Sequence, residues 1–229
     1  MDWRAWHDQY EVADSLMARR LQAVQGRILA ALSEAPAGEV RVVSLCAGDG
    51  RDLLEVLVDH PRRDDVRARL VELDPRNTAA AREKADQAGL RQVEIVTGDA
   101  SLIDQYEDLA PADLVLVCGV FGNITDPDIE RTIAACNQLC TTNGTVIWTR
   151  HRGAPDRVPQ ICDWFEAQGF ELQWLSAVEA GFGVGVHRFA GAPQPLRHGT
   201  RMFEFAGYDV LRQAEAAEAS DATTPRRAD

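Results

Sequence analysis

Glycine and acidic residues follow three successive apolar runs of the sequence. The first run leads into Cys46-Ala47-Gly48-Asp49-Gly50, the second into Glu72-Leu73-Asp74-Pro75, and the third into Gly98-Asp99-Ala100. Glycines after a strand let a ligand approach the backbone, and the helix that follows offers unpaired N–H groups. An acid after the second strand can accept hydrogen bonds from both ribose hydroxyls, and one after the third can accept from an exocyclic amine. This order predicts a nucleoside-binding site.

The first loop does not fit the G-x-G-x-x-G pattern of pyrophosphate-binding folds. Counted from Gly48, the third glycine position is occupied by Leu53, which disfavours a dinucleotide cofactor. In the second loop, Glu72 and Asp74 compete for the ribose. Glu72 is favoured because it directly follows the apolar run, whereas an aspartate before Pro75 is typical of a turn or a helix start.

Two polar residues follow the fourth and fifth apolar runs. Asn123 lies in the loop after Cys118-Gly119, where it can orient an acceptor or simply form a turn. His151 stands between two arginines at the end of the fifth run. It is predicted to act as a general base or to bind an anionic acceptor, with a pKa lowered by the flanking cations. A solvated loop is the alternative for His151.

The elements that position these loops alternate between apolar strand patterns and helical patterns. The spacing of apolar residues predicts helices over 14–32, 52–59, 77–88, 126–140 and 158–168, and strands over 40–46, 69–72, 93–97, 112–118, 145–149, 170–175 and 185–189. Asn143-Gly144 and Gly181–Gly185 are predicted turns. Nearly continuous apolar strands flanked by helices indicate an α/β fold, a doubly wound and mostly parallel sheet. The last two strands are expected to pair antiparallel.

The same pattern divides the chain into three parts. We expect an N-terminal helical cap over 1–37, a ligand-binding domain over 38–211, and a disordered tail over 212–229, which has few apolar residues. The first part begins with aromatic residues that either close over the pocket or fasten the first helix to the sheet. These N-terminal residues are Trp3, Trp6, His7 and Tyr10.

Composition narrows the class of partner. The 229 residues include 24 basic and 36 acidic side chains, a net charge of −12, and 45% hydrophobic residues, which is typical of a globular chain. The acidic balance disfavours nucleic acid and anionic membranes. No apolar run reaches the roughly 18 residues of a membrane span, and the first residues do not form a signal peptide. The five cysteines match no zinc pattern, so we expect free thiols, a reducing cytoplasm and no metal site.

Taken together, these motifs resemble those of the class I S-adenosylmethionine-dependent methyltransferases over residues 38–190. The resemblance rests on the first-loop sequence 45–50, on Val71-Glu72-Leu73-Asp74, on Gly98-Asp99-Ala100, and on Asn143-Gly144 before the fifth strand. It implies a seven-stranded sheet with an antiparallel closing hairpin and S-adenosylmethionine as cofactor. Gly48 and Gly50 would then border the methionine part, Glu72 the ribose and Asp99 the adenine. The cofactor-binding residues expected on this basis are Cys46, Ala47, Gly48, Gly50, Glu72, Leu73, Asp99, Ala100, Cys118 and Gly119.

The expected activity is methyl transfer to a small-molecule acceptor without a metal, with His151 and Asn123 as the predicted catalytic residues. Two positions depart from the family pattern: Ser44 replaces a common acid and Cys46 a common glycine. These departures leave open which loop groups hold the cofactor amine. They also allow a second hypothesis, a non-catalytic cofactor-binding sensor or partner subunit. An aminopropyltransferase is the third, although the loop after the fourth strand lacks the paired acids typical of those enzymes.

Overall fold

The computed structural model describes residues 15–206 and residue 211. The predicted aromatic N-terminal segment and the predicted disordered tail therefore lie outside the described residues. Five helices are present in the described range: α1 (Leu16–Glu34), α2 (Arg51–Asp59), α3 (Pro75–Gln87), α4 (Asp126–Leu139) and α5 (Val158–Ala167). The seven strands are β1 (Val40–Leu45), β2 (Val66–Glu72), β3 (Val93–Thr97), β4 (Ala112–Val117), β5 (Cys140–His151), β6 (Phe170–Leu175) and β7 (Phe182–Phe189).

The strands form one sheet in the order β3-β2-β1-β4-β5-β7-β6. Strands β1 to β5 are parallel to one another, and β7 pairs antiparallel with both β5 and β6. The predicted doubly wound sheet with an antiparallel closing hairpin is therefore confirmed. Strand order reverses between β1 and β4, which in open α/β sheets marks the place where a ligand binds at the carboxyl ends.

Each face of the sheet carries its own hydrophobic core, because alternate strand residues point to opposite faces. Val43 and Val115 contribute to the core that helices α4 and α5 cover. Val42 and Leu114 contribute to the core that α1, α2 and α3 cover. Helix α1 begins after Ser15, whose hydroxyl accepts a hydrogen bond from the Ala18 N–H at 3.0 Å, and its buried stripe is Val24, Ile28 and Leu32.

Strand β2 is longer than predicted. It begins at Val66 instead of residue 69, because Val66 and Ala68 are buried while Arg67 between them is exposed. The alternating arginines hid the first half of this strand from a search for continuous apolar runs. Strands β3 and β6 have the predicted bounds.

The predicted turn at Asn143-Gly144 is wrong. Strand β5 continues from Cys140 to His151 through these residues, with Asn143 at a φ of 66° and a register shift against β4 between Ala112 and Leu114. This irregularity has the character of a β-bulge, in which a left-handed residue is accommodated without ending the strand.

The predicted flexible turn over Gly181–Gly185 is also wrong beyond its first residue. Only Gly181 has a positive φ, 76°, and strand β7 begins at the next residue. Gly183 and Gly185 lie in the buried strand because a Cβ there would collide with Val158 and with the indole of Trp148, respectively. These glycines serve close packing and not chain reversal.

We expect Gly185→Ala to lower the free energy of unfolding by about 1–3 kcal/mol, since an added methyl group must displace the buried indole of Trp148. Urea denaturation measures this change. The matched control is Gly26→Ala in helix α1, where a Cβ meets no atom within 4 Å and where alanine favours the helix by up to about 1 kcal/mol. Equal stability of Gly185→Ala and the wild-type protein would contradict the tight-packing explanation.

Candidate cofactor and active site

A cavity of about 830 Å³ opens at the carboxyl ends of the parallel strands, where the strand order reverses. Loops that follow β1, β2, β3 and β4 all contribute to its wall. The wall includes nine of the ten predicted cofactor-binding residues: Cys46, Ala47, Gly48, Glu72, Leu73, Asp99, Ala100, Cys118 and Gly119.

The loop after β1 turns sharply through residues with positive φ. Cys46 has a φ of 51° and Gly48 a φ of 57°, and the Ala47 N–H donates to the Val71 carbonyl at 3.0 Å. Gly50, the tenth predicted residue, does not line the cavity. It precedes helix α2 at a φ of 74°, and a Cβ there would lie 2.7 Å from Leu54 Cδ1. Gly50 is therefore required by the packing beneath the loop.

Asp49 ties this loop to helix α3. Its carboxylate accepts hydrogen bonds from Arg51 Nη2 at 2.7 Å and from Lys84 Nζ at 2.6 Å. Burial alone would raise the pKa of Asp49, but the hydrogen bonds from Arg51 and Lys84 outweigh it and hold the pKa well below its ordinary value. The first loop is thus pinned by a charged cluster and not by the backbone alone.

Glu72 stands at the centre of the site. Its Oε2 accepts from the Gly48 N–H at 2.9 Å and its Oε1 from the Asp74 N–H at 2.9 Å. The Asn77 amide also donates to Oε1, at 3.5 Å, and because each carboxylate oxygen has two acceptor positions, Glu72 retains one on Oε2 toward a ligand. Asp74 instead caps helix α3, accepting from the Arg76 N–H at 2.8 Å. Both Glu72 and Asp74 line the cavity, and the assignment of the ribose to Glu72 stays a prediction.

Asp99 follows β3 and is held by three hydrogen bonds. Its Oδ1 accepts from the N–H and the hydroxyl of Ser101, at 3.0 and 2.6 Å, and its Oδ2 accepts from Arg201 Nη1 at 2.7 Å. Burial acts to raise the pKa of Asp99, but the bonds from Ser101 and Arg201 prevail and lower it. Asp99 is therefore an ionised acceptor at the cavity edge.

The wall near β2 and β4 also includes the uncharged residues Leu73, Cys118 and Gly119. Leu73 is 65% exposed, so its side chain offers apolar surface to a ligand. The Gly119 N–H donates to Thr149 Oγ1 at 2.8 Å, which fixes the loop after β4. Burial raises the pKa values of the Cys46 and Cys118 thiols, with Glu72 adding to the effect at Cys46 and Asp52 at Cys118. Both cysteines are neutral at physiological pH.

The sequence reasoning missed the wall that the C-terminal segment (residues 199–206) supplies. Arg201, Phe203 and Phe205 line the cavity, although they follow the last strand. The segment is fastened by hydrogen bonds from the Met202 N–H to the Ser101 carbonyl at 2.8 Å and from the Ala206 N–H to the Asn123 carbonyl at 3.0 Å. No periodic pattern marks such a segment; the apolar residues Met202, Phe203 and Phe205 after the last strand were the only available signal.

Helices α1 and α2 add Arg20 and Asp52 to the wall, two further residues that sequence reasoning missed. Burial raises the pKa of Asp52, and the charge of Arg20 opposes that rise. Asp52 lies two residues after Gly50, in the first turn of helix α2. It offers a carboxylate to the cavity in a chain whose Ser44 replaces the acid common in the family pattern.

The two predicted catalytic residues do not line the cavity. The Asn123 side chain donates to the Gly119 carbonyl at 2.8 Å, which is the turn role that was its alternative. His151 lies exposed at the end of β5, and its Nδ1 accepts from the Gly153 N–H at 3.1 Å. The flanking arginines face elsewhere: Arg150 donates to the Phe121 carbonyl and Arg152 to Asp156. Neither side chain lines the cavity, although Asn123 is bonded to Gly119, which does.

Residues 15–206 contain neither a cluster that could hold a metal ion nor a helix that could span a membrane. No group of three or more His, Cys, Asp or Glu side chains in this range is arranged to hold a metal ion. Within the same range, no helix has both the length and the apolar character needed to cross a membrane.

Comparison with known proteins gives matches that agree with one another. Residues 42–144 match the sequence profile of a family described as "Methyltransferase domain". No curated protein matches the sequence. Among solved structures, the chain is similar to an O-methyltransferase family protein from Burkholderia thailandensis, with a TM-score of 0.57 and 16% identity over 84% of this chain and 70% of the other.

Two further solved structures contain the cofactor or its product. Magnesium protoporphyrin IX methyltransferase from Synechocystis PCC 6803, solved with S-adenosylmethionine, has a TM-score of 0.61 at 14% identity over 82% of this chain and 90% of the other. The 1,6-didemethyltoxoflavin-N1-methyltransferase from Burkholderia thailandensis, solved with S-adenosylhomocysteine, has a TM-score of 0.60 at 18% identity over 83% of each chain. Together with the sheet order, these findings show that the chain has the fold of the S-adenosylmethionine-dependent methyltransferases and that residues 42–144 match a methyltransferase domain.

Proposed function

We propose that this methyltransferase acts on a small-molecule acceptor by direct displacement that needs no metal ion. The observation that carries the proposal is the cavity of about 830 Å³. Pockets for small ligands span roughly 300–1,000 Å³, so this one is large enough for the cofactor with a compact acceptor beside it. The net charge of −12 further disfavours a nucleic acid, whose phosphates require cationic partners.

The names of two structural neighbours add support. One acts on 1,6-didemethyltoxoflavin and the other on magnesium protoporphyrin IX, both small molecules. Neither acceptor is assigned to this chain, because sequence identities of 18% and 14% establish only a shared fold.

The wall residues divide the cavity into regions of different chemistry. Glu72 accepts hydrogen bonds from the ribose, Asp99 accepts one from the adenine amine, and Leu73 covers apolar surface of the base. Asp52 is suited to the cofactor amine, which carries a positive charge. Bound S-adenosylmethionine supplies a methyl group on a sulfonium, a good electrophile that needs chiefly alignment with the acceptor.

The acceptor lies in this proposal against Cys118, Gly119 and Phe205, near the end of β4. Phe205 is 50% exposed. The Cys118 thiol is neutral, so the surfaces that Phe205 and Cys118 offer to an acceptor are both uncharged. The roles predicted for His151 and Asn123 do not enter the proposal, because neither side chain lines the cavity.

Transfer of label tests this function. The protein is incubated with S-adenosylmethionine labelled in its methyl group and a cell extract divided by ultrafiltration into metabolites and macromolecules. We expect label to appear in the metabolite fraction, with undiminished yield when a chelator is added. Glu72→Ala serves as the negative control, since it removes the ribose acceptor.

Label found only in retained protein or nucleic acid would overturn the small-molecule assignment. Label transfer that stops on chelation and returns with added divalent cations would overturn metal independence.

A further inference from the structure

The C-terminal segment (residues 199–206) forms a frame around Asp99 that the cofactor loops alone do not provide. The Ile103 N–H donates to the Thr200 carbonyl at 3.0 Å, and Leu102 forms a bridge with Arg201. On the other side, Asp104 accepts from the Gly199 N–H at 2.9 Å. The segment is therefore bonded through its backbone to the loop that carries Asp99.

Arg201 is held in this frame by two short contacts. Its Nη1 donates to Asp99 Oδ2 at 2.7 Å and to Ser101 Oγ at 2.6 Å. The Ser101 hydroxyl in turn donates to Asp99 Oδ1 at 2.6 Å. The three side chains thus form a closed set of hydrogen bonds, which fixes the orientation of the Asp99 carboxylate.

The number of acceptor positions decides what this arrangement leaves for a ligand. Oδ1 has two positions, and the N–H and hydroxyl of Ser101 occupy both. Oδ2 also has two, and Arg201 occupies one. One acceptor position remains, on Oδ2, and the Asp99 side chain is still 37% exposed. That position can receive one hydrogen bond from a donor in the cavity.

We propose that Arg201 is a positioning residue that aims Asp99 at a 6-amino group and so makes the cavity selective for adenine over hypoxanthine nucleosides. The inference rests on the role given to Asp99 in the proposed function. A 6-amino group donates to the open position on Oδ2. A 6-oxo group has no hydrogen to donate there and directs a lone pair at the carboxylate, which is unfavourable.

Arg201 acts as a support in this proposal and does not block the cavity. Its backbone is bridged to Leu102, and its guanidinium is bound to Ser101 as well as to Asp99. The side chain cannot leave without breaking both of these hydrogen bonds. Loss of the guanidinium frees the carboxylate to rotate, so the variant should lose affinity for the amine and lose discrimination with it.

Calorimetry with two nucleosides tests the proposal on the full-length protein. We compare S-adenosylhomocysteine with S-inosylhomocysteine, which differs only in carrying a 6-oxo group. For Arg201→Met we expect affinity for the adenosine compound to fall roughly 10-fold and affinity for the inosine compound to change less than about 2-fold. Arg201→Lys should restore part of the selectivity. The control Arg188→Met removes another arginine–carboxylate pair, with Glu171 at the far edge of the sheet, and should alter neither affinity.

Equal losses for both nucleosides would overturn the inference, because a purely structural wall does not distinguish the two bases. Tighter binding of the adenosine compound would overturn it too, since Arg201 would then be a competitor. Asp99→Ala separates this result from the proposed function. If Asp99→Ala leaves selectivity unchanged, Asp99 does not bind adenine and the inference fails, whereas methyl transfer is judged independently by the label experiment.

Discussion

Glu72→Ala is expected to weaken binding of S-adenosylhomocysteine by between about 10-fold and 150-fold. The variant loses the ribose acceptor, and it also releases the Gly48 N–H and the Asp74 N–H, each now 2.9 Å from a Glu72 oxygen. The first loop and the start of helix α3 therefore lose a common anchor. Calorimetry at matched protein concentration measures the change, with circular dichroism to establish that the variant is folded.

The comparison variants make this result specific. Glu94→Ala removes an exposed carboxylate that pairs with Arg69 on the neighbouring strand and should leave affinity unchanged. Asp74→Ala removes a helix cap and should lower stability by about 1 kcal/mol with little loss of affinity. Unchanged affinity in folded Glu72→Ala, with a large loss in Asp74→Ala, would assign the ribose to Asp74.

Acidification from pH 7 to pH 4.5 is expected to destabilise the protein through His187. This histidine is fully buried in strand β7; its Nδ1 accepts from Trp148 Nε1 at 3.0 Å, and its ring stacks on Phe165 at 4.4 Å. Burial lowers its pKa from 6.5 to about 4. Between these values the unfolded chain binds a proton that the folded protein excludes, so stability is complete above pH 6.5 and falls as the pH falls.

The expected loss attributable to His187 is about 2–3 kcal/mol, from 1.36 kcal/mol per pH unit across this interval. Urea denaturation at both pH values measures it. His187→Asn provides the control, since asparagine does not titrate and its carbonyl can still accept from Trp148. The wild-type protein should lose about 2–3 kcal/mol more than the variant on acidification. Parallel losses in the two proteins would show that carboxylates, and not His187, determine the acid sensitivity.

Much of the sheet was predictable because each buried parallel strand appears in the sequence as a continuous run of apolar residues. Strands β3 and β6 have their predicted bounds, and the carboxylates of Glu72 and Asp99 lie at the cavity as their strand-end positions implied. Strand β7 was cut short because glycine in sequence indicates a turn. Glycine is required at position 185 by the indole of Trp148 on the neighbouring strand, which is a contact between residues far apart in the chain.

The difference between local sequence patterns and contacts within the folded chain also explains where the predicted site residues differ from the structure. Gly48 and Gly50 are indistinguishable as Gly-x-Gly, yet only Gly48 lines the cavity, because Gly50 is packed against Leu54. Arg201 lies about a hundred residues beyond Asp99, so no local pattern joins them. His151 was selected for its position at the end of a strand, but the His151 side chain does not line the cavity, although Thr149 two residues earlier bonds the loop after β4.

The attachment of the C-terminal segment to the loops after β3 and β4 bears on synthesis of the protein. The first three strands and the acids that follow two of them leave the ribosome early, whereas residues 199–206 emerge only after all seven strands. A nascent chain therefore displays Glu72 and Asp99 long before Arg201 and Phe205 can enclose them. Enclosure of the cofactor therefore requires synthesis to reach residue 206, and by mass action cofactor binding then stabilises this late segment.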